Sequence, residues 1–341
     1  MMIANVVPAI QANLAPIDQA SGGTTEFANV SGYQADIFFE GTSVYFGYQA
    51  NVAYQLNDMI SLGLGMRYVT AKNTYNGYIK DVKVGIPDAY GGGFMDPGAY
   101  VEFVGTQVPS QQEALNGFAA LLDDGTSVEA DVEQTGSGYT PIVSLNIAPS
   151  EKLNVSLKYE FKTSLELTNK VMDGKDAGGM FIDGEKVIAD MPAQLVGGLS
   201  YKPTNALTIS TGVHYYFDQD VDYDGSAETN INMIDKNFIE YGLGLEYGLS
   251  EDLRISGGWL TTITGVNDNY QTDQSYSLPS NTFGAGIGFS LTEMIDLNLG
   301  GSYTLYQEGE KTYDAELPVG SITEVYDKDI WIVALGVNFH F

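Results

Sequence analysis

The sequence contains three cationic side chains that could bind an anion, Arg67, Lys158 and Lys162. Each falls in or beside a segment whose polar and apolar residues alternate, and the alternation turns all three toward the polar side of a predicted strand. Guanidinium and ammonium groups are strong partners of a carboxylate, above all where water is excluded. The three are therefore candidates for binding the head group of an acidic ligand. The alternative is an ordinary network between these cations and three acids on the same side of the predicted wall: Glu160, Glu240 and Glu246.

An acidic segment carries the first half of a calcium-loop pattern, Asp-x-Asp-x-Asp-Gly. The twelfth position, which should hold a bidentate glutamate, is Ile231, so an EF-hand is not supported. A divalent cation such as Ca²⁺ bridging this loop remains a candidate, and the alternative is a solvated acidic surface loop. The ligands would be Asp220, Asp222, Asp224 and Glu228.

Residues for covalent chemistry are scarce. The chain has no cysteine, which excludes a thiolate site and a disulfide framework. Its two histidines, His214 and His340, lie far apart in sequence, which gives little support to a His-based triad or a zinc site. The glycine-rich stretches at 91–93 and 284–288 precede no predicted helix, so they are not phosphate loops. We expect neither an enzyme nor an organic cofactor.

The composition of the chain excludes further classes of protein. The formal charge is −29, from 44 acidic against 15 basic residues, so nucleic acid is a poor partner. No run of 18 apolar residues is present, which excludes a transmembrane helix. Tyrosine (23) and glycine (40) are abundant. This combination suits a membrane β-barrel, in which tyrosine forms interfacial girdles.

The elements that must position these residues are strands. The last segment, Trp331–Phe341, alternates strictly between apolar and small or polar residues, as a membrane strand does. The same pattern recurs in pairs joined by short turns, and Asn57-Asp58 is one such hairpin turn. About eleven strands result, near residues 46–56, 60–68, 139–147, 153–161, 195–201, 207–217, 241–247, 253–261, 283–289, 295–305 and 331–341.

The opposite connections are long and acidic, at about 81–136, 171–190, 219–235, 264–279 and 308–327. Short turns at one end and long loops at the other favour an all-β, antiparallel transmembrane β-barrel over a soluble sandwich. We expect the barrel over residues 41–341. Residues 1–40 are expected to be an extracellular loop remnant, with a short helix and the start of a strand.

One long connection contains a predicted amphipathic helix. Ser110 with Glu113 three residues later fits a capping box. An apolar stripe follows, whose large members are Leu115, Phe118, Leu121 and Leu122.

Several of these segments, taken in order, resemble the long-chain fatty acid transporter family of outer-membrane proteins (FadL/TodX type). The matching pieces are residues 41–58 with 60–68, 190–201, 277–288 and the closing strand. The resemblance implies a fourteen-stranded barrel plugged by an N-terminal hatch, of which this sequence holds the last eleven strands. The export signal, the hatch and the first strands have no counterpart in it. It further implies that Leu115, Phe118, Leu121 and Leu122 capture lipid at the surface; the alternative is a helix packed on the barrel rim.

We therefore expect a monomeric barrel of the cell outer membrane, surrounded by outer-membrane lipid. Passive transport of long-chain fatty acids or similar hydrophobic small molecules is the implied function. The alternative is a structural or adhesive outer-membrane barrel without transport.

Overall fold

The computed structural model describes residues 6–125, 127–221, 232–272, 276–315 and 320–340. The α-helices are α1 (Val6–Ala20), α2 (Pro97–Gln107) and α3 (Gln112–Gly125). No helix in these ranges is both long and apolar enough to cross a membrane. The strands are β1 (Ser31–Gln55), β2 (Ile60–Gly85), β3 (Phe94–Met95), β4 (Val128–Ser150), β5 (Leu153–Glu160), β6 (Glu166–Asp176), β7 (Lys186–Ile188), β8 (Gln194–Tyr201), β9 (Leu207–Tyr216), β10 (Ile239–Gly248), β11 (Leu253–Ile263), β12 (Ser280–Thr292), β13 (Ile295–Tyr306), β14 (Gly309–Ala315), β15 (Gly320–Tyr326) and β16 (Asp329–Phe339).

One sheet contains the predicted strands. Its hydrogen-bonded path runs through eleven strands, in the order β1, β2, β4, β5, β8, β9, β10, β11, β12, β13 and β16. The antiparallel β-structure and the predicted positions of these strands are confirmed. The path ends at β1 on one side and at β16 on the other, and the pairs described for this part of the chain include none between those two strands.

The short connections also lie where the sequence predicts them. Between β1 and β2, the side chain of Asn57 accepts hydrogen bonds from the backbone N–H groups of Met59 and Ile60, at 2.9 and 3.0 Å. This is the local bonding that makes asparagine a turn residue. The hairpin β12–β13 turns within two residues, Glu293 and Met294.

Three strands are at least twice as long as predicted: β1 has 25 residues, β2 has 26 and β4 has 23. About 9–11 residues suffice to cross a membrane. Buried polar residues pack part of the extra length. Asn73, Gln134 and Asn169 are hydrogen-bonded to one another in a row across β2, β4 and β6. Parts of the predicted long connections are therefore strands or helices: the ends of β2, β4 and β6, together with β3, β7, β14, β15 and α2.

The chain forms two compact units. The first comprises residues 1–46, 70–136 and 167–187. Its core gathers apolar side chains of α1, α2 and α3 around Tyr100, which is fully buried and donates a hydrogen bond to the backbone oxygen of Phe27 at 2.8 Å. The start of α2 carries ordinary signals, with Asp96 as N-cap and Pro97 in the first turn. The predicted capping box at Ser110 is wrong, because Ser110 lies inside a 3-10 turn, Pro109–Gln111, that precedes α3.

The second unit comprises residues 47–69, 137–166 and 188–341, and most of the sheet belongs to it. Its strands carry large apolar side chains on one face, which we call the apolar face. A single row across β10, β11, β12, β13 and β16 shows the pattern, because every member is exposed: Leu243, Trp259, Phe283, Tyr303 and Trp331. A soluble protein would rarely expose so continuous an apolar surface, whereas a membrane wall requires one.

Candidate functional site

The opposite face of the second unit, the polar face, carries a broad glycine-lined trough. The row next to the exposed apolar one reads Gly244, Gly258, Gly284, Ser302 and Ile332 across the same five strands. Glycines leave the backbone uncovered, and the depression over it has a volume of about 710 Å³. A volume of this size is in the range of small-molecule sites.

A second cavity, of about 450 Å³, adjoins the first, since Gly244, Gly258 and Gly284 line both. Its ionisable members are His214 and Glu240. The Glu240 carboxylate accepts a hydrogen bond from the hydroxyl of Thr262 at 2.9 Å and lies 3.8 Å from His214 Nδ1.

The other end of the trough, near the short turns, holds Arg254. Its guanidinium donates to the side-chain oxygen of Asn298 at 2.9 Å and lies 3.7 Å from an Asp296 oxygen. A Cβ atom at Gly288 would meet the Arg254 guanidinium at 2.5 Å, so only glycine lets this side chain lie flat on the strand. Asp296 also accepts from Ser290 at 2.7 Å and lies 3.1 Å from His340 Nε2.

Two of the predicted head-group cations meet at one buried carboxylate. Glu160 is 2% exposed and accepts four hydrogen bonds. Arg67 supplies two of them, at 2.7 and 3.1 Å, Lys158 supplies one at 2.7 Å, and Gln194 supplies one at 2.9 Å. The Nε of Arg67 donates separately to Gln49 at 2.9 Å. These contacts are the alternative arrangement that the sequence left open for Arg67 and Lys158.

Lys162 lies apart from that cluster. Its ammonium pairs with Asp190 at 2.8 Å, and Asp190 also accepts from the backbone N–H of Leu165 at 2.9 Å. The structure therefore brings Arg67 and Lys158 together and gives Lys162 a separate partner.

The capture residues of α3 lie in the first unit. Leu115 and Leu122 are buried in its core, at 5% and 0% exposure, and Phe118 is packed against that core. Leu121 is 68% exposed. Of the four, Leu121 alone presents most of its side chain to a ligand at the surface.

The predicted metal ligands cannot be assembled from the described residues. Asp220 ends a 3-10 turn, Asp218–Asp220, whereas Asp222, Asp224 and Glu228 lie outside the described ranges. Within those ranges, no group of three or more His, Asp or Glu side chains is arranged to hold a metal ion.

Glu160 is the residue that sequence reasoning placed least well, because it was assigned only as an alternative partner. The sequence held a signal for this pairing, because Lys158 and Glu160 lie two residues apart and therefore share the polar side of β5. Within the second unit, the polar face of the described strands carries three cations, Arg67, Lys158 and Arg254, against four acids, for a net charge of −1. The acids are Glu160, Glu240, Glu246 and Asp296.

Comparison with known proteins gives a structural likeness. No protein-family model matches the chain, and no curated protein matches it. Among solved structures, a Pseudomonas aeruginosa FadL homologue aligns with 88% of this chain and 68% of its own, at 11% identity and a TM-score of 0.55. The Pseudomonas putida toluene transporter TodX (13% identity, TM-score 0.46) and the Ralstonia pickettii toluene transporter TbuX (15%, 0.45) each align over 90% of this chain and 78% of their own.

The first of these likenesses, together with the eleven-stranded path, confirms the antiparallel β-barrel fold that the sequence predicts. The chain has the fold of a FadL homologue, an antiparallel β-barrel.

Proposed function

We propose that this protein resides in the outer membrane and lets hydrophobic small molecules pass across it without an energy source. The apolar face would contact lipid and the polar face would line the passage, as in other membrane barrels. The observation that carries the proposal is the glycine-lined trough of about 710 Å³ on the polar face. Because glycines have no side chains to fill the space beside the strands, that space can accommodate a small-molecule ligand.

Two ligand classes fit within this function. The sequence resemblance favours long-chain fatty acids, whose tails would gain about 0.8 kcal/mol for each CH₂ group buried. A fatty acid also needs a cation for its carboxylate, and Arg67 and Lys158 are the candidates. Uncharged hydrophobic molecules need no such partner. The alternative function, a structural or adhesive barrel, would leave the trough without a role.

Uptake into proteoliposomes tests the proposal. The full chain is reconstituted, and entry of a labelled fatty acid and a labelled alkylbenzene is compared with entry into empty vesicles. We expect faster entry of at least one ligand with the protein present. Entry at the empty-vesicle rate for both ligands would contradict transport.

A matched pair of variants tests the route. Gly284→Leu places a side chain in the trough, where its Cβ would lie 3.6 Å from the nearest atom and so causes no clash. The backbone of Gly257 on the adjacent strand also borders the trough, but its Cβ lies on the apolar face with that of Trp259, two residues away. Gly257→Leu therefore adds the same side chain on the apolar face, with its Cβ 3.8 Å from its nearest neighbour. Uptake should fall several-fold in the first variant and stay unchanged in the second. Equal uptake by both variants would show that the trough is not the route.

A further inference from the structure

Glu160 makes the contacts that the carboxylate of an acidic ligand would make at a pair of cations. One of its oxygens accepts from Arg67 Nη1 and Gln194, and the other accepts from Arg67 Nη2 and Lys158. Two-pronged contact with a guanidinium, reinforced by an ammonium, is the arrangement that proteins use to bind a free carboxylate. The side chain is 3% exposed, so its carboxylate is held by protein donors.

Arg254, the third cation of the polar face, and Lys162 also have acidic neighbours. Lys162 is 2.8 Å from Asp190, and Arg254 lies 3.7 Å from Asp296. Glu246, on the polar face beside the trough, has no ion pair within 4.0 Å among the described residues. A carboxylate brought to this face would have to displace an internal acid or approach unpaired negative charge, and both raise its free energy.

We propose that Glu160 is an internal carboxylate that fills the Arg67–Lys158 pair and makes the passage select uncharged hydrophobic molecules over carboxylates. Glu160 is thereby a specificity-determining residue that touches the cations rather than the ligand. The inference rests on the proposed function for the transport itself. The binding preference that it predicts is measurable without transport.

A gain of binding confined to the carboxylate tests the idea, because apolar surface exposed by misfolding would bind both ligands more tightly. Decanoate and 1-decanol have equal chain lengths, and decanoate is ionised at neutral pH. Binding of each labelled ligand to the full chain in lipid nanodiscs is measured by equilibrium dialysis and divided by its partition into empty discs. The wild-type protein should bind decanol better on this scale. Glu160→Gln should raise decanoate affinity about tenfold, as expected when one negative charge a few ångströms away is removed, and leave decanol unchanged.

Two controls locate the effect. Glu246→Gln removes the same charge from the same face without freeing a cation pair, so it should relieve only repulsion and produce a much smaller gain. Adding Lys158→Gln to Glu160→Gln removes one of the two freed cations and should reverse the gain.

Three results would overturn the inference. They are tighter relative binding of decanoate than decanol by the wild-type protein, no gain in a folded Glu160→Gln variant, and an equal gain in Glu246→Gln. The wild-type comparison decides the matter even if the variant does not fold. A protein that binds decanol but moves neither ligand across vesicles would instead refute transport and leave this inference standing.

Discussion

Breaking the Glu160 network from the Arg67 side should destabilise the fold strongly. Arg67→Met keeps a long side chain but removes two of the four hydrogen bonds to Glu160 and one of its two charged partners. Removing one partner of a buried ion pair costs about 3–5 kcal/mol, because the other charge stays buried. Since Lys158 and Gln194 remain on Glu160, we expect the low end, about 3 kcal/mol, or roughly a hundredfold in the folding equilibrium.

Lys162→Met supplies the matched control. It also removes a cation from an ion pair, but the Lys162 side chain is 42% exposed and Asp190 is 12% exposed, against 24% and 3% for Arg67 and Glu160. Exposed pairs contribute about 0–1 kcal/mol, so the control should change the free energy of unfolding little. Adding Glu160→Gln to Arg67→Met removes the stranded charge and should restore part of the lost stability.

Reversible unfolding by urea in detergent micelles, followed by tryptophan fluorescence, measures these differences. Trp259 and Trp331 both lie on the apolar face, so their emission should report loss of the wall. The urea dependence should keep its slope while the midpoint moves, as for a pure change in stability. The reasoning fails if Arg67→Met costs less than the control, or if removing Glu160 as well brings no recovery.

Two further predictions concern the first unit, the helical cluster. Leu122→Ala should cost about 2–5 kcal/mol because Leu122 is fully buried. Leu121→Ala should be near neutral, because Leu121 is 68% exposed. Hydrogen exchange across α3 measures both losses of stability, and similar losses would contradict the packing described for this helix. Burial raises the pKa of the Tyr100 phenol above its ordinary value, so the stability that the neutral phenol gives the helical cluster should be complete below about pH 10 and decline as the pH rises toward the folded-state pKa. Hydrogen exchange across α2 should show this alkaline loss of stability in the wild-type protein but not in Tyr100→Phe. An identical loss in both proteins would refute the assignment.

The membrane-length strands were readable from sequence because each carries its own signal. Alternation with a period of two marks the apolar side, and short turns such as Asn57-Asp58 separate the runs. The extensions were not readable. In the extended parts of β2 and β4, Asn73 and Gln134 occupy buried positions that apolar residues would normally hold. The alternation of polar and apolar residues is therefore lost there.

The helices, like the strands, were predictable from the sequence only in part. The apolar stripe of α3 was evident, but α2 was missed although Asp96 and Pro97 form an ordinary helix start. The sequence also placed Arg67, Lys158 and Glu160 on the polar face. It could not show that Glu160 receives both cations, because Arg67 is separated from Glu160 by 93 residues and reaches it through tertiary folding.

Locating a bound ligand tests most directly the claim that the trough on the polar face is the passage. Crystals of the full chain grown with 1-bromodecane would reveal the bromine by its anomalous scattering. The account predicts a bromine peak on the polar face over the row formed by Gly244, Gly258 and Gly284. Bromine found only against the apolar face, near Trp259 or Trp331, would contradict it.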